Sequence, residues 1–108
     1  MKKDPYVFID HIRESIVAID SYTFGVTKEI FLNTPQIQDA VCRRLEIIGE
    51  AANKLESEFQ EQFPNIPWYK IVAMRNILIH EYFAVDLDQV WNTVLKDLPD
   101  LKKLLEKI

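Results

Sequence analysis

The segment 35–55, PQIQDAVCRRLEIIGEAANKL, carries the pattern of a long amphipathic helix. Apolar residues recur in it in steps of three and four, which places their side chains on one helix face. The same spacing continues beyond the segment, and the positions that share it are Ile37, Val41, Leu45, Ile48, Ala52, Leu55, Phe59 and Phe63. Thr34 is a helix-capping residue type, Pro35 suits a first helical position, and the later sequence PNIP resists continuation. We therefore predict one helix from Pro35 to about Phe63.

The rest of the chain shows helical spacing on both sides of this segment. A first helix ends near Gly25, which can take the left-handed conformation. The connector VTKEIFLN has room for one or two helical turns. Another helix begins near Trp68, and Asp86 caps a last one, in which Pro99 predicts a kink or a restart. Because no segment alternates like a strand, the sequence predicts an all-α bundle.

Composition and charge limit what such a bundle can do. Of the 108 residues, 48% are hydrophobic, which is enough for one core, so we expect a single domain over 1–108. Charged residues interrupt every apolar run near the start, which predicts no signal peptide and no membrane span and favours the cytoplasm. The net charge of −4 has the wrong sign for a protein that binds nucleic acid with its whole surface. Any phosphate site is therefore local.

One acid-free segment could hold such a site. Residues 62–80 contain no Asp or Glu but include Lys70 and Arg75. A buried helix with few acids would explain the same composition, and composition alone does not separate the two readings.

Arg75 has an unusual place in this segment. On a regular helix it falls in the middle of an apolar face, and Tyr82 falls on that face too. The apolar members of the face are Ile71, Val72, Leu78 and Ile79. His80 projects about 140° away from Arg75. A guanidinium in an apolar stripe calls for an explanation.

Metal chemistry is not expected from this sequence. Cys42 is the single cysteine, so neither an internal disulfide nor a cysteine-rich zinc site can form. A di-metal bundle site would pair Glu with a His three residues later, and the sequence has no such pair. We expect no metal and no cofactor.

Three residues allow both a structural and a functional interpretation. Gly49 costs a helix about 1 kcal/mol relative to alanine, and we predict that another helix approaches closely there. Trp68 and Trp91 could stack on RNA bases, but their positions at helix starts favour core packing.

The spacing RxxxxHxY, formed by Arg75, His80 and Tyr82, resembles the HEPN superfamily and, more closely, the HepT-like ribonuclease toxins. The resemblance extends over nearly the whole chain, through DHIRESI, QDAVCRRLEIIGEAANKL, IPWYKIVAMRNILIHEYFAVDLDQVW and DLPDLK. It implies an antiparallel HEPN-type bundle of four to five helices that forms a homodimer. It also implies the toxin of a type VII-like toxin–antitoxin pair whose antitoxin is a minimal nucleotidyltransferase.

The implied activity is metal-independent cleavage of RNA in a cleft that two copies of the motif line. Such cleavage needs a base, an acid and a cation for the charge that builds on phosphorus. His80 suits the first or second role because an imidazole exchanges a proton near neutral pH. Arg75 suits the third because a guanidinium is always charged and grips phosphate through two hydrogen bonds.

Geometry sets a condition on this mechanism. Arg75 and His80 can share a phosphate only if the helix bends or ends near His80, or if a second copy supplies one of them. Asn76, one turn before His80, either hydrogen-bonds the imidazole and fixes its tautomer or serves in packing or capping.

Tyr82 has three readings. The resemblance implies that its hydroxyl accepts AMP from the cognate nucleotidyltransferase, which would place a phosphate beside Arg75 and fill the groove meant for RNA. Tyr82 could instead contact the substrate, or be an ordinary half-buried tyrosine.

Two other functions stay open at this point. The chain could be a non-catalytic docking or nucleotide-binding subunit for a nucleotidyltransferase, which the acidic net charge favours. It could also be a dimerising bundle in which Arg75 merely pairs with Glu46 or Glu50 across helices.

Overall fold

The chain folds into helices in the order that its sequence predicts. A computed structural model describes residues 4–81 and 85–108, and Tyr82 lies outside these ranges. Its elements are α1 (Pro5–Thr23), α2 (Lys28–Leu32), α3 (Pro35–Lys54), α4 (Ser57–Glu61), α5 (Trp68–His80), α6 (Leu87–Asn92), a π-helical turn (Thr93–Asp97) and α7 (Leu98–Leu105). The described ranges contain no strand, so the all-α prediction is confirmed. Four long units, namely α1, α3, α5 and the continuous rod from α6 to α7, form the bundle.

Local signals fix most helix ends. The Asp4 side chain accepts a hydrogen bond from the Tyr6 N–H at 2.9 Å, and this caps α1. After α1 ends, Gly25 takes a φ of +72°, which confirms the predicted left-handed residue. Asp86 accepts from the N–H groups of Asp88 and Gln89 at 3.0 and 3.2 Å, so the predicted cap of the last helix is also confirmed.

The prediction of one helix from Pro35 to Phe63 is wrong in about its last third. α3 ends at Lys54, Leu55 turns to a ψ of 133°, and the separate helix α4 follows. Gln60 closes the turn, because its Nε2 donates to the carbonyl oxygens of Ala52 and Leu55 at 3.0 and 3.4 Å. The turn brings Phe59 back against Tyr6, with 5.8 Å between the ring centroids. The apolar stripe of the predicted helix is thus divided between two helices, α3 and α4.

Thr34 does not cap α3 in the predicted way. It occupies the capping position, but its hydroxyl donates to the Ile30 carbonyl of α2 at 2.6 Å and accepts no bond from α3. Pro35 does stand at the start of the helix. The Thr34 hydroxyl therefore joins α3 to α2, and the amides of Ile37 and Gln38 are satisfied by the Thr34 carbonyl oxygen at 3.1 Å each.

α3 packs against α1 on one side and α5 on another, and the core lies between these helices and α7. Its fully buried members include Ile9, Ile12, Ile16, Ile19, Phe31, Val41 and Val90. Arg13 of α1 donates to the carbonyl oxygens of Leu105 and Ile108 at 2.9 and 3.3 Å, which fixes the end of α7 on α1.

The predicted interruption at Pro99 takes the form of the π-helical turn. Proline has no N–H, so the carbonyl four residues earlier cannot receive its usual bond. The rod widens into the π-helical turn just before this point, and α7 restarts at Leu98 with Pro99 in its first turn.

α5 is covered mainly on the side that faces α3. Only Trp68 and Leu78 of its thirteen residues are buried, and Ile77 is 46% exposed. Between α3, α5 and α7 runs a largely apolar groove of about 300 Å³, lined among others by Ile48, Met74 and Leu101. No helix in the described ranges is long and apolar enough to cross a membrane.

Candidate active site on the fifth helix

The stem of Arg75 lies in a niche that Gly49 provides. A Cβ placed on Gly49 would overlap the Cβ of Arg75 and would lie 2.9 Å from its Cγ and 3.1 Å from the Ile71 carbonyl oxygen. The prediction that a helix approaches closely at Gly49 is therefore confirmed, and the residue that meets it is Arg75. This niche explains how a charged side chain fits into an apolar helix face.

The guanidinium of Arg75 turns away from the core. Its Nη1 donates to the Asn76 side-chain oxygen at 2.9 Å, while its Nε is buried without a hydrogen-bond partner. Neither Glu46 nor Glu50 forms an ion pair with it among the described residues, and Glu46 pairs with Arg43 at 3.3 Å instead. The reading in which Arg75 is neutralised by one of these acids is therefore wrong.

His80 is the last residue of α5, and its side chain is exposed. The helix ends there because the next residue leaves the helical region, with a φ of −127° and a ψ of 39°. The condition that the helix end near His80 is thus met. No hydrogen bond or ion pair of its imidazole falls within the described ranges, so the ring is open to a ligand on the side that the structure describes.

Asn76 connects the arginine to the side of the helix on which His80 lies. It lies four residues before His80, and residues at that spacing are neighbours on a helix surface. The Cα positions of Arg75 and His80 are separated by about 140° around the helix, and Asn76, which accepts a hydrogen bond from the Arg75 guanidinium, lies between them. The predicted bond from Asn76 to the imidazole is not among the hydrogen bonds of the described residues.

The exposed aromatic residue at the start of α5 is Tyr69, not Trp68. Trp68 and Trp91 are 7% and 5% exposed, which confirms that they belong to the core. The Trp68 indole donates to the Gln60 and Phe63 carbonyl oxygens at 3.1 and 3.2 Å. The neighbouring Tyr69 is 88% exposed. Its distance of eleven residues from His80 puts the two on one side of a helix, a signal that the sequence contains.

Cys42 has no reactive character in this fold. Burial, together with the nearby negative charges of Glu46 and Asp39, raises the pKa of its thiol to about 11. The thiol therefore stays protonated at neutral pH, as expected of a residue on the flank of the core. Within the described ranges, no three His, Cys, Asp or Glu side chains are grouped so that they could hold a metal ion.

The last part of α5 carries three polar groups, namely the Arg75 guanidinium, the Asn76 amide and the His80 imidazole. A guanidinium that already has one partner can still donate from its other N–H groups to a phosphate oxygen. An exposed imidazole can move a proton to or from a hydroxyl beside that phosphate. The guanidinium and the imidazole supply two of the three functions that phosphodiester cleavage needs, namely the cation and one of the two proton-transfer groups.

Comparison with known proteins agrees with this chemistry. Residues 12–108 match a family model described as Ribonuclease HepT-like. The chain is 41% identical over its full length to a protein of Thermococcus cleftensis named "Probable ribonuclease HepT" and covers 98% of it. It is also 47% identical over its full length to a Methanocaldococcus jannaschii protein named "Gamma-glutamylcyclotransferase and putative RNase", of which it spans about half, 49%. No solved structure is significantly similar to the chain.

Proposed function

Because the chain belongs to the HepT-like ribonuclease family, we propose that it is a metal-independent endoribonuclease that cuts RNA with Arg75 and His80. The observation that carries the proposal is the position of the Arg75 guanidinium. It rests on Asn76, on the same side of α5 as His80, and no acid pairs with it in the described ranges. A phosphate is a favourable partner for a guanidinium without an acid partner, because its oxygens accept two hydrogen bonds from the N–H groups at once.

The reaction would be an internal transfer at phosphorus. The ribose 2′-oxygen bonds to the adjacent phosphorus as its proton passes to an imidazole, and the bond from phosphorus to the 5′-oxygen breaks. An acid gives that oxygen a proton, which leaves a 2′,3′-cyclic phosphate and a free 5′-hydroxyl. Arg75 holds the non-bridging oxygens while negative charge builds on them.

A homodimer would complete this site. One chain supplies a single His80, whereas base and acid are two groups, and a symmetric pair of chains supplies two imidazoles. The open side of α5 supports this arrangement, since Ile77 is 46% exposed there and only two of the thirteen helix residues are buried. The two copies of Arg75 and His80 would then line one shared cleavage site at the interface.

The biological role that fits is that of the toxin in a type VII-like toxin–antitoxin pair acting in the cytoplasm. The antitoxin would be a minimal nucleotidyltransferase that transfers AMP to Tyr82. In that step the tyrosine oxygen bonds to the α-phosphorus of ATP, pyrophosphate leaves, and the phenolic proton is released. The attached phosphate would compete with RNA for Arg75.

The test is cleavage of RNA by the purified protein in EDTA, with Arg75→Ala and His80→Ala as variants and with analysis of the product ends. His11→Ala is the matched control, because His11 is the other histidine of the chain and is exposed on α1. Cleavage with 2′,3′-cyclic ends that survives in the control and disappears in both folded variants supports the proposal. No cleavage by the unmodified dimer would favour a docking subunit for a nucleotidyltransferase.

AMP transfer is tested separately. Intact mass after incubation with the cognate nucleotidyltransferase and ATP should rise by whole AMP groups, and Tyr82→Phe should abolish the rise. AMP on the Tyr82→Phe variant would assign the modification to another residue.

A further inference from the structure

Tyr69 presents an aromatic ring to solvent in the first turn of α5. Its side chain is 88% exposed, and the ring contacts within the described residues do not involve it. Its immediate neighbour Trp68 is buried and hydrogen-bonded, so the start of the helix is well fixed beneath it. An exposed aromatic ring on a fixed helix is a surface on which a nucleobase can stack.

The ring lies on the same side of the helix as the proposed active site. At about 100° per residue, Tyr69, Asn76 and His80 fall within about 40° of one another around α5. Ala73 lies between Tyr69 and Asn76 on this side of the helix, and its small methyl group projects little from the surface. Tyr69 is eleven positions before His80, about 16 Å along the helix axis.

Charge on this surface favours a polyanion. The whole of α5 lacks acidic residues, so no carboxylate of that helix lies between Tyr69 and His80. Lys70 follows Tyr69 with a side chain that is 70% exposed, and its only ion pair in the described ranges is a long one of 4.0 Å to Asp97. A phosphate backbone could therefore run along the stripe without opposing charge from α5.

From these observations we propose that the stripe of Tyr69, Asn76 and His80 binds single-stranded RNA, and that Tyr69 stacks on an unpaired base near the phosphate that is cut. This inference rests on the proposed function and narrows its substrate class. A base inside a duplex has its two faces covered by its neighbours, so it could not lie on Tyr69. The enzyme would thus prefer loops and single strands to helical RNA.

The experiment measures binding without cleavage. The full-length His80→Ala protein is titrated into a fluorescent single-stranded RNA, and the dissociation constant is compared with that of His80→Ala carrying Tyr69→Ala or Tyr69→Phe. Loss of one stacked base should weaken binding about 5- to 150-fold, whereas Tyr69→Phe keeps the ring and should stay within about twofold. A duplex of the same sequence should compete poorly.

Phe24→Ala is the matched control, since Phe24 is 90% exposed and lies outside α5. Equal binding by Tyr69→Ala and its parent, or equal weakening by Phe24→Ala, would overturn the assignment. So would loss of the dimer in Tyr69→Ala by size-exclusion chromatography, because Tyr69 would then be an interface residue. If the wild type cleaves RNA and the Tyr69→Ala substitution changes neither the dissociation constant for RNA nor the KM of cleavage, only the inference about Tyr69 fails. If the wild type neither cleaves nor binds RNA, the proposed function fails with it.

Discussion

Arg75 of α5 fills the space that a side chain on Gly49 of α3 would take. The aliphatic stem of Arg75 fits there because Gly49 has no Cβ. The niche at Gly49 determines how closely the Arg75 stem approaches α3, and the hydrogen bond to Asn76 determines where the guanidinium points. A residue that touches no substrate in the proposed reaction would therefore control where the catalytic cation stands.

Gly49→Ala should destabilise the protein although alanine is the better helix former. The new methyl would overlap the Arg75 Cβ, and such overpacking costs about 1–3 kcal/mol, against a helix-propensity gain of about 1 kcal/mol. Urea unfolding measures the difference, and Glu50→Ala, at an exposed neighbouring position, should stay within about 0.5 kcal/mol. In an Arg75→Gly background, which removes the opposing Cβ, the cost should shrink. An increase in stability for Gly49→Ala alone would contradict the close approach.

Asn76→Ala should slow RNA cleavage about tenfold while the helix stays folded. The variant removes the acceptor that holds the Arg75 Nη1 at 2.9 Å, and the guanidinium would then sample other positions. Asn76→Asp should be the worse variant, because a carboxylate at the same place would pair with Arg75 and repel phosphate. Steady-state kinetics with thermal unfolding as a control separate these effects. Equal rates for Asn76→Asp and the wild type would show that Asn76 does not position the arginine.

Cys42 should make the protein lose stability as pH rises from about 9 to about 11. The thiol has its ordinary pKa of 9.0 when the chain is unfolded and about 11 in the folded state, so the unfolded chain gives up its proton first. The folded state is therefore favoured fully below pH 9 and progressively less above it, by on the order of 1 kcal/mol. Urea midpoints across this range should fall more steeply for the wild type than for Cys42→Ala. Parallel curves would mean that the thiol ionises equally in both states.

Gln60→Ala should cost about 1 kcal/mol of unfolding free energy. Its side-chain amide donates to two carbonyl oxygens at the end of α3; without it the Leu55 oxygen would lose this donor and the Ala52 oxygen would keep only the Leu55 N–H. Gln62→Ala, at an exposed position just after α4, is the control and should change little. If the two variants unfold at the same denaturant concentration, the turn at Leu55 is held by burial of its apolar residues alone.

The sequence predicts helix content well because caps and turn residues act locally. Asp86 and Gly25 do what their chemistry dictates without help from distant parts of the chain. The break at Leu55 escapes such reasoning, since the apolar spacing runs straight through it. What ends α3 is a turn closed by Gln60 and packing of Phe59 against Tyr6, and the latter contact joins residues far apart in the chain.

The candidate site also combines features that the sequence predicts with features that depend on tertiary contacts. The spacing of Arg75 and His80 can be read from the chain, and so can the place of Tyr69 on the same helix side. The direction of the guanidinium cannot, because it depends on a niche in another helix and on the choice of Asn76 as a partner. Side-chain direction is the part of an active site that only tertiary contacts decide.

The π-helical turn makes room for Pro99 inside the rod from α6 to α7. A turn closed five residues apart accommodates one residue more than an α-helical turn, while the helices on either side keep their faces. Deleting one of its exposed residues, Leu95 or Lys96, would remove that extra residue and place Pro99 in a regular α-helical turn, where its ring would clash with the carbonyl group four residues earlier. The extra residue therefore lets a proline lie inside the rod while the helices on both sides of it keep their apolar faces on the core.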